Sequence, residues 1–271
     1  MSNYTSVITT VGVSMFTNYF DQHPKSPLRK VWNDIKSMPF KESDWDYLTK
    51  DSQFRKMRGE IIRALTDREL SCAEWQTLER LKTRYDDMTT YLVSSDTISG
   101  YLAGTILQEV LPVHADLNIQ GHKRIEGFDV LTTGNKEVLI KEGFGNYLDF
   151  LVEFAHPGTV LNISGGYKAI IPITTLIASY RSIPMYYNFE ASAYLVEFPP
   201  FPFTFDFQAF APLFERLESA TPLIYNGPEF RALVGQLKPK EKHLLEGLIL
   251  KNANNETTLS ILGTAYGIIY E

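Results

Sequence analysis

Apolar and β-branched residues first cluster at 5 to 11, Thr-Ser-Val-Ile-Thr-Thr-Val, and Gly12 ends the run. Such a run predicts a buried strand. Ser14 to Phe20 follows as a helix start, so the chain opens as strand, glycine turn, helix, in the manner of an α/β domain. From 24 to 88 the pattern changes. Pro24, Pro27 and Pro39 punctuate it, and more than half of the Lys and Arg lie here with a similar number of acids. Trp32, Ile35 and Met38 sit at helical spacing, as do Ile61, Ile62 and Leu65. Ala73 to Tyr85 is amphipathic. This region reads as three or four short helices inserted into the α/β domain.

Strand character returns at Thr90 to Ser94, followed by the cap candidates Ser95, Asp96 and Thr97. A helix through Leu102, Ile106, Leu107 and Val110 runs to Pro112, and a shorter strand is expected over Ala115 to Ile119. Lys136 to Phe154 reads as helix, interrupted near Gly143 and Gly145. The cleanest unit is Thr159 to Glu190: a buried strand ending at Ser164, a Gly165-Gly166 turn, a helix from Tyr167 to Tyr180 with Pro172 near its start, and a strand from Pro184. This is a βαβ unit. Ala193 to Phe198 is expected to add an antiparallel strand before the proline run at 199–203 stops regular structure. The tail predicts helices over Gln208–Leu217, Glu229–Leu237 and Glu241–Leu250, then a polar turn and a short hairpin within 257–270. The expected architecture is α/β: a Rossmann-like, mostly parallel sheet with helices on both faces, spanning 1–206 with the insertion at about 24–88. A small helical, winged-helix-like module at 207–271 follows.

Composition narrows the function. The 271 residues are 44% hydrophobic, ample for a large core and against a disordered chain. A net charge of -6 argues against a broad footprint on long nucleic acid, which needs a basic face. One cysteine, Cys72, excludes an intramolecular disulfide and a Cys-rich zinc site. His23, His114, His122, His156 and His243 are scattered, so no metal is expected. No Gly-x-Gly-x-x-Gly surrounds Gly12 and no Gly-x-x-x-x-Gly-Lys is present, so neither a dinucleotide cofactor nor a P-loop is indicated; no cofactor is expected. Without a long apolar run or a basic leader, the chain reads as soluble and cytoplasmic.

Two strand-to-helix turns carry the candidate chemistry. They are Thr9-Thr10-Val11-Gly12-Val13-Ser14 and Asn162-Ile163-Ser164-Gly165-Gly166-Tyr167-Lys168. Ligands of open parallel sheets sit beyond the strands' carboxyl ends, at a switch in strand order. Glycines let backbone approach a ligand, helix N-termini offer N–H groups to an anion, and Lys168 adds a point charge. The pattern suits a phosphate, although Gly165-Gly166 also reads as a simple tight turn and Lys168 as a solvated residue.

These residues resemble the CARF domains, the CRISPR-associated Rossmann-fold sensors. Val-Ile-Thr-Thr-Val-Gly-Val-Ser-Met at 7–15 resembles their opening strand and ligand loop. Leu-Asn-Ile-Ser-Gly-Gly-Tyr-Lys-Ala-Ile-Ile-Pro at 161–172 resembles their second ligand motif, with Ser164 where the family usually has Thr. The segments 184–190 and 198–203 are also similar, and 92–97 more weakly. The resemblance implies a homodimer that binds cyclic oligoadenylate, most often the tetra-adenylate, in a two-fold pocket. It implies Thr10, Gly12, Val13, Ser14, Asn18, Asp96, Ser164, Gly165, Gly166, Tyr167 and Lys168 as ligand-binding residues. Some members of the family are ring nucleases, and in that reading Lys168 and Ser14 are catalytic in a metal-independent 2′-OH attack. Two alternatives stay open: a non-cleaving sensor that controls an effector or transcription, and a generic nucleotide-binding protein.

Overall fold

A computed structural model describes residues 5–85, 87–129, 139–189, 194–201, 223–251 and 256–260, with single positions at 211, 215, 217 and 263. The main sheet contains β1 (Ser6–Thr10), β2 (Thr89–Ser94), β3 (Asn118–Arg124), β4 (Thr159–Asn162), β5 (Met185–Asn188) and β6 (Leu195–Phe198). Their spatial order is β3-β2-β1-β4-β5-β6, all parallel except the last pair, β5 and β6. The chain therefore builds outward from β1 to β3, then returns to the other side of β1 for β4. The strand order reverses between β1 and β4, and a crevice opens at such a point beyond the carboxyl ends of the strands.

Alternation along each strand supplies two core faces. Val7, Leu92, Val160 and Tyr186 face one side, together with the buried residues of α1 (Ser14–Gln22), α5 (Ala73–Arg84) and α6 (Ile98–His114). The inserted helices α2 (Arg29–Ile35), α3 (Glu42–Leu48) and α4 (Ser52–Thr66) extend this face. Ile8, Val93, Leu161 and Met185 face the other side, against α7 (Phe144–Phe154) and α8 (Ile171–Tyr180). Helices thus cover both faces, and the Rossmann-like reading holds.

The insertion shares the core of the sheet. Trp32 of α2 stacks on Phe16 of α1 with ring centroids 4.7 Å apart. Asp51 caps α4, its carboxylate accepting from the N–H groups of Gln53 and Phe54 at 2.9 and 2.8 Å. Four helices fill the stretch in which three or four were expected. Between α2 and α3 the chain also reaches the loop after β2, where Pro39 bridges Thr97 in antiparallel fashion.

Some boundaries differ from the sequence expectation. The third strand is Asn118–Arg124, not Ala115–Ile119. It lies at the sheet edge and alternates no apolar residues, so its backbone pairing with β2 leaves no hydrophobic signature. Asp116, with φ 50°, makes the turn that precedes it. The helix α6 passes through Pro112 to His114, because Leu107, Val110 and Leu111 hold its last turns in the core. The helix expected over 136–154 begins within the described residues as a π turn at Leu139–Gly143 and becomes α-helical at Phe144. Gly143 is the break, since a Cβ there would stand 2.5 Å from the Gly127 carbonyl oxygen; Gly145 lies inside the helix. A 3-10 turn at Lys168–Ile170 precedes α8, so regular α-helix begins at Ile171.

In the tail, α9 (Pro228–Gln236) and α10 (Pro239–Leu248) precede a two-stranded ribbon, β7 (Ile249–Lys251) with β8 (Thr257–Leu259). The hairpin therefore uses the residues after α10 as its first arm. Leu223, Phe230, Leu237, Leu245 and Leu248 form a separate apolar cluster. The helix expected over 208–217 lies outside the described residues except at three positions, as does 264–270 of the expected hairpin. No helix among the described residues is long and apolar enough to cross a membrane.

Because one core joins insertion and sheet, Trp32→Ala is expected to cost about 3–5 kcal/mol and to leave a single urea transition. Separate transitions for helical and sheet probes would show that the insertion folds as its own unit.

Candidate functional site

The register of the central strands brings three loops to one end of the sheet. Thr9 pairs with Asn162 across β1 and β4, and Thr10 pairs with Val93 across β1 and β2. The turns after β1, β2 and β4 therefore start side by side. They surround a cleft of about 150 Å³ lined by Val11, Gly12, Val13, Lys36, Ser95, Thr97, Ser99, Gly166 and Tyr167. Gly12, Val13, Gly166 and Tyr167 were expected at a ligand site. Two larger clefts, about 540 and 460 Å³, lie beside β3 and at the opposite end of the sheet. Neither holds a glycine turn at the strand-order reversal, so size is the weaker guide here.

The two glycine turns touch. A Cβ on Gly12 would meet the Gly166 backbone nitrogen at 2.6 Å. Gly166 has φ +85°, a region that side-chain-bearing residues rarely occupy. Thr10 ties the turns together: its buried hydroxyl donates to the Gly165 carbonyl at 2.6 Å. Asn162, also buried, accepts from the Ser164 N–H at 3.1 Å and sets the start of the second turn.

Beneath them lies a residue the sequence reading missed. Glu74 of α5 is fully buried, and its Oε1 accepts the Gly12 N–H at 2.6 Å. A Cβ on Gly165 would fall 1.8 Å from that same oxygen. The glycine at 165 thus makes room for the carboxyl group, and the Gly12 amide is engaged by protein. The signal was present: Glu74, Leu78 and Leu81 share the i, i+4, i+7 apolar stripe of α5. An acid on such a stripe is seldom buried unless hydrogen-bonded.

The other expected residues divide by where their side chains go. Ser14 opens α1 beside the cleft, and its buried hydroxyl has no hydrogen-bond partner among the described residues. Tyr167 is 40% exposed at the rim, with its ring against Phe128. Lys168 is exposed at the first position of the 3-10 turn, next to the cleft but not lining it. Three residues spend their polar groups on other parts of the chain. Ser164 Oγ lies 2.7 Å from Thr77 Oγ1 and accepts the Asn188 N–H at 2.9 Å. Asn18 donates to the Ser71 carbonyl at 3.3 Å. Asp96 pairs with Arg124 and accepts the Gly127 N–H at 2.8 Å, organising the loop after β3.

The loop after β2 is built as a helix start. Thr97 caps α6, accepting the Gly100 N–H at 3.0 Å, so it is the cap among the three candidates. Thr97 and Ser99 line the cleft from the N-terminal end of a 17-residue helix, where partial positive charge favours an anion. Just behind, His122 accepts or donates at Nε2 with Ser94 Oγ, 2.7 Å away, and packs against Gly104. Burial, aided by the Arg124 charge, holds this imidazole down at about 4, so it is neutral near pH 7. No cluster of His, Cys, Asp and Glu among the described residues could hold a metal ion.

A parallel sheet with an anion-favouring cleft at its strand-order reversal defines an α/β protein with a nucleotide-binding-like fold. Residues 69–201, just under half of the chain, match the model of a family described as CRISPR-associated protein (Cas_APE2256). The match supports a CRISPR-associated protein and spans Glu74, the loop after β2 and the second glycine turn after β4. No curated protein matches the chain.

Glu74→Ala is expected to destabilise by about 1–3 kcal/mol, because it leaves the Gly12 N–H without its buried acceptor. Gly165→Ala is expected to cost at least about 1 kcal/mol less in the Glu74→Ala background than in the wild type. Additive urea-unfolding energies would contradict the packing of Gly165 on the carboxyl group. For His122 the folded-state value lies below the unfolded 6.5. Only the unfolded chain takes up the proton between pH 6.5 and about 4, so stability falls over that window as pH falls. The loss, about 3 kcal/mol in all, should be absent from the pH profile of unfolding for His122→Asn.

Proposed function

We propose that the protein binds cyclic oligoadenylate, the tetra-adenylate being the expected ring, at a site shared by two copies of the chain, and cleaves it as a metal-independent ring nuclease. The observation that carries this reading is the meeting of two glycine turns at the strand-order reversal, with the starts of α1 and α6 beside them. The family match to a CRISPR-associated protein agrees with it, as does the resemblance of both turns to CARF ligand motifs. The cleft in one copy is about 150 Å³. Pockets that enclose a small molecule run to roughly 300–1,000 Å³. A cyclic oligonucleotide therefore has to extend beyond one copy, and its rotational symmetry suits a two-fold pair.

In this reading a ribose 2′-OH attacks the adjacent phosphorus. The new O2′–P bond forms as the P–O5′ bond breaks, and the proton lost from the 2′-OH ends on the departing 5′ oxygen. The products carry a 2′,3′-cyclic phosphate and a 5′-OH. Ser14 orients the 2′-OH or the phosphate from the first turn of α1. Lys168 stabilises the extra negative charge on the non-bridging oxygens. Tyr167 offers an aromatic wall to an adenine.

Incubation with cyclic tetra-adenylate in EDTA, followed by chromatography, tests the proposal. Linear di-adenylate ending in a cyclic phosphate is the expected product, reduced at least about 100-fold in rate for Lys168→Ala. Intact ligand that co-elutes with the protein would replace the nuclease by a sensor. Undiminished binding and cleavage in both Lys168→Ala and Ser14→Ala would remove the site assignment.

A further inference from the structure

One cleft-lining residue belongs neither to the glycine turns nor to the family match. Lys36 follows α2 in the insertion, outside residues 69–201, and lines the cleft beside Ser99 and Tyr167. Its place is built by hydrogen bonds. The Lys36 carbonyl accepts from Ser99 Oγ at 3.0 Å. The Ile98 N–H donates to the Met38 carbonyl at 2.9 Å, and the Phe40 N–H donates to the Asp96 carbonyl at 3.0 Å. Together with the Pro39–Thr97 bridge, these bonds strap residues 36–40 onto the loop that caps α6. The Arg124 guanidinium, paired with Asp96, lies 4.1 Å from the Phe40 ring centre and closes the strap. The Lys36 side chain, by contrast, is exposed, and its ammonium donates only to Asn33 Oδ1 at 3.0 Å among the described residues. The backbone is held while the charge is free to swing.

Electrostatics gives this cation a task. The acid buried directly under the turns that form the cleft, Glu74, offers a bound phosphate no positive charge. Lys168 stands outside the cleft lining; Lys36 is the cation that lines it. We propose that Lys36 is a phosphate-contacting residue of this cleft, so that the insertion supplies part of the binding site. The inference rests on the oligoadenylate reading above and assigns one ligand contact to the insertion.

Calorimetric titration of cyclic tetra-adenylate into the 271-residue wild-type chain, Lys36→Ala, Lys36→Arg and Lys168→Ala tests it. The expected result is roughly tenfold weaker binding for Lys36→Ala, as for loss of a charge-assisted hydrogen bond, and a smaller deficit at high salt. Lys36→Arg should stay near wild type. In the wild-type protein, bound ligand should also shield Lys36 from an amine-acylating reagent, read by peptide mass spectrometry. Weakened binding in Lys168→Ala with wild-type affinity in Lys36→Ala, or a Lys36 that stays fully reactive while Lys168 is shielded, would overturn the role of Lys36 and leave the oligoadenylate reading standing. A wild type that binds no cyclic tetra-adenylate would overturn both.

Discussion

The close approach of the turn after β1 to the turn after β4 is the constraint on which the cleft depends. A Cβ on Gly12 would stand 2.6 Å from the Gly166 nitrogen, and a Cβ on Gly165 would overlap the Glu74 carboxyl group. Only glycine allows the two backbones and the acid to share this space. The Thr10 hydroxyl then fastens one turn to the other, and Glu74 fastens the first turn to α5. The sheet provides the alignment, since parallel pairing places the ends of β1, β2 and β4 in step.

The insertion follows from the same geometry. A chain leaving β1 must cross one face of the sheet before it enters β2, and here that crossing carries five helices rather than one, four of them in the insertion. Its last helix, α5, fills the position against β4 and β5. Gln76, Thr77 and Arg80 bond there to Asn188 and Ser164 at the strand ends. Its earlier part returns to the cleft at residues 36–40. A segment rich in charge in sequence is thus buried on one side against Phe16 and Phe20 and placed at the cleft on another.

Charge also acquires a location. The chain carries a net charge of -6, which disfavours a long polyanion. At the cleft the balance is local: the exposed ammonium groups of Lys36 and Lys168, and the N-terminal ends of α1 and α6. A few phosphates need only these groups, whereas a duplex needs a broad basic face.

The sequence by itself determined the α/β class, both glycine turns, most strands and helices, and the antiparallel last strand. Each of these leaves a local mark: a β-branched run, a pair of glycines, or an apolar stripe. It did not determine the bounds of β3, an edge strand with no alternating apolar residues to mark it. Nor did it single out Glu74 as the support of Gly12, or bring Lys36 within reach of Ser99. Those contacts join residues 62 and 63 positions apart. Tertiary structure also turned Ser164 and Asp96 inward and tied Asn18 to the Ser71 carbonyl, by hydrogen bonds that local sequence cannot specify. The physical reason is the same in each case. Periodicity and turn chemistry act over a few residues, whereas a cleft is made by strand order, and strand order decides which distant loops lie side by side.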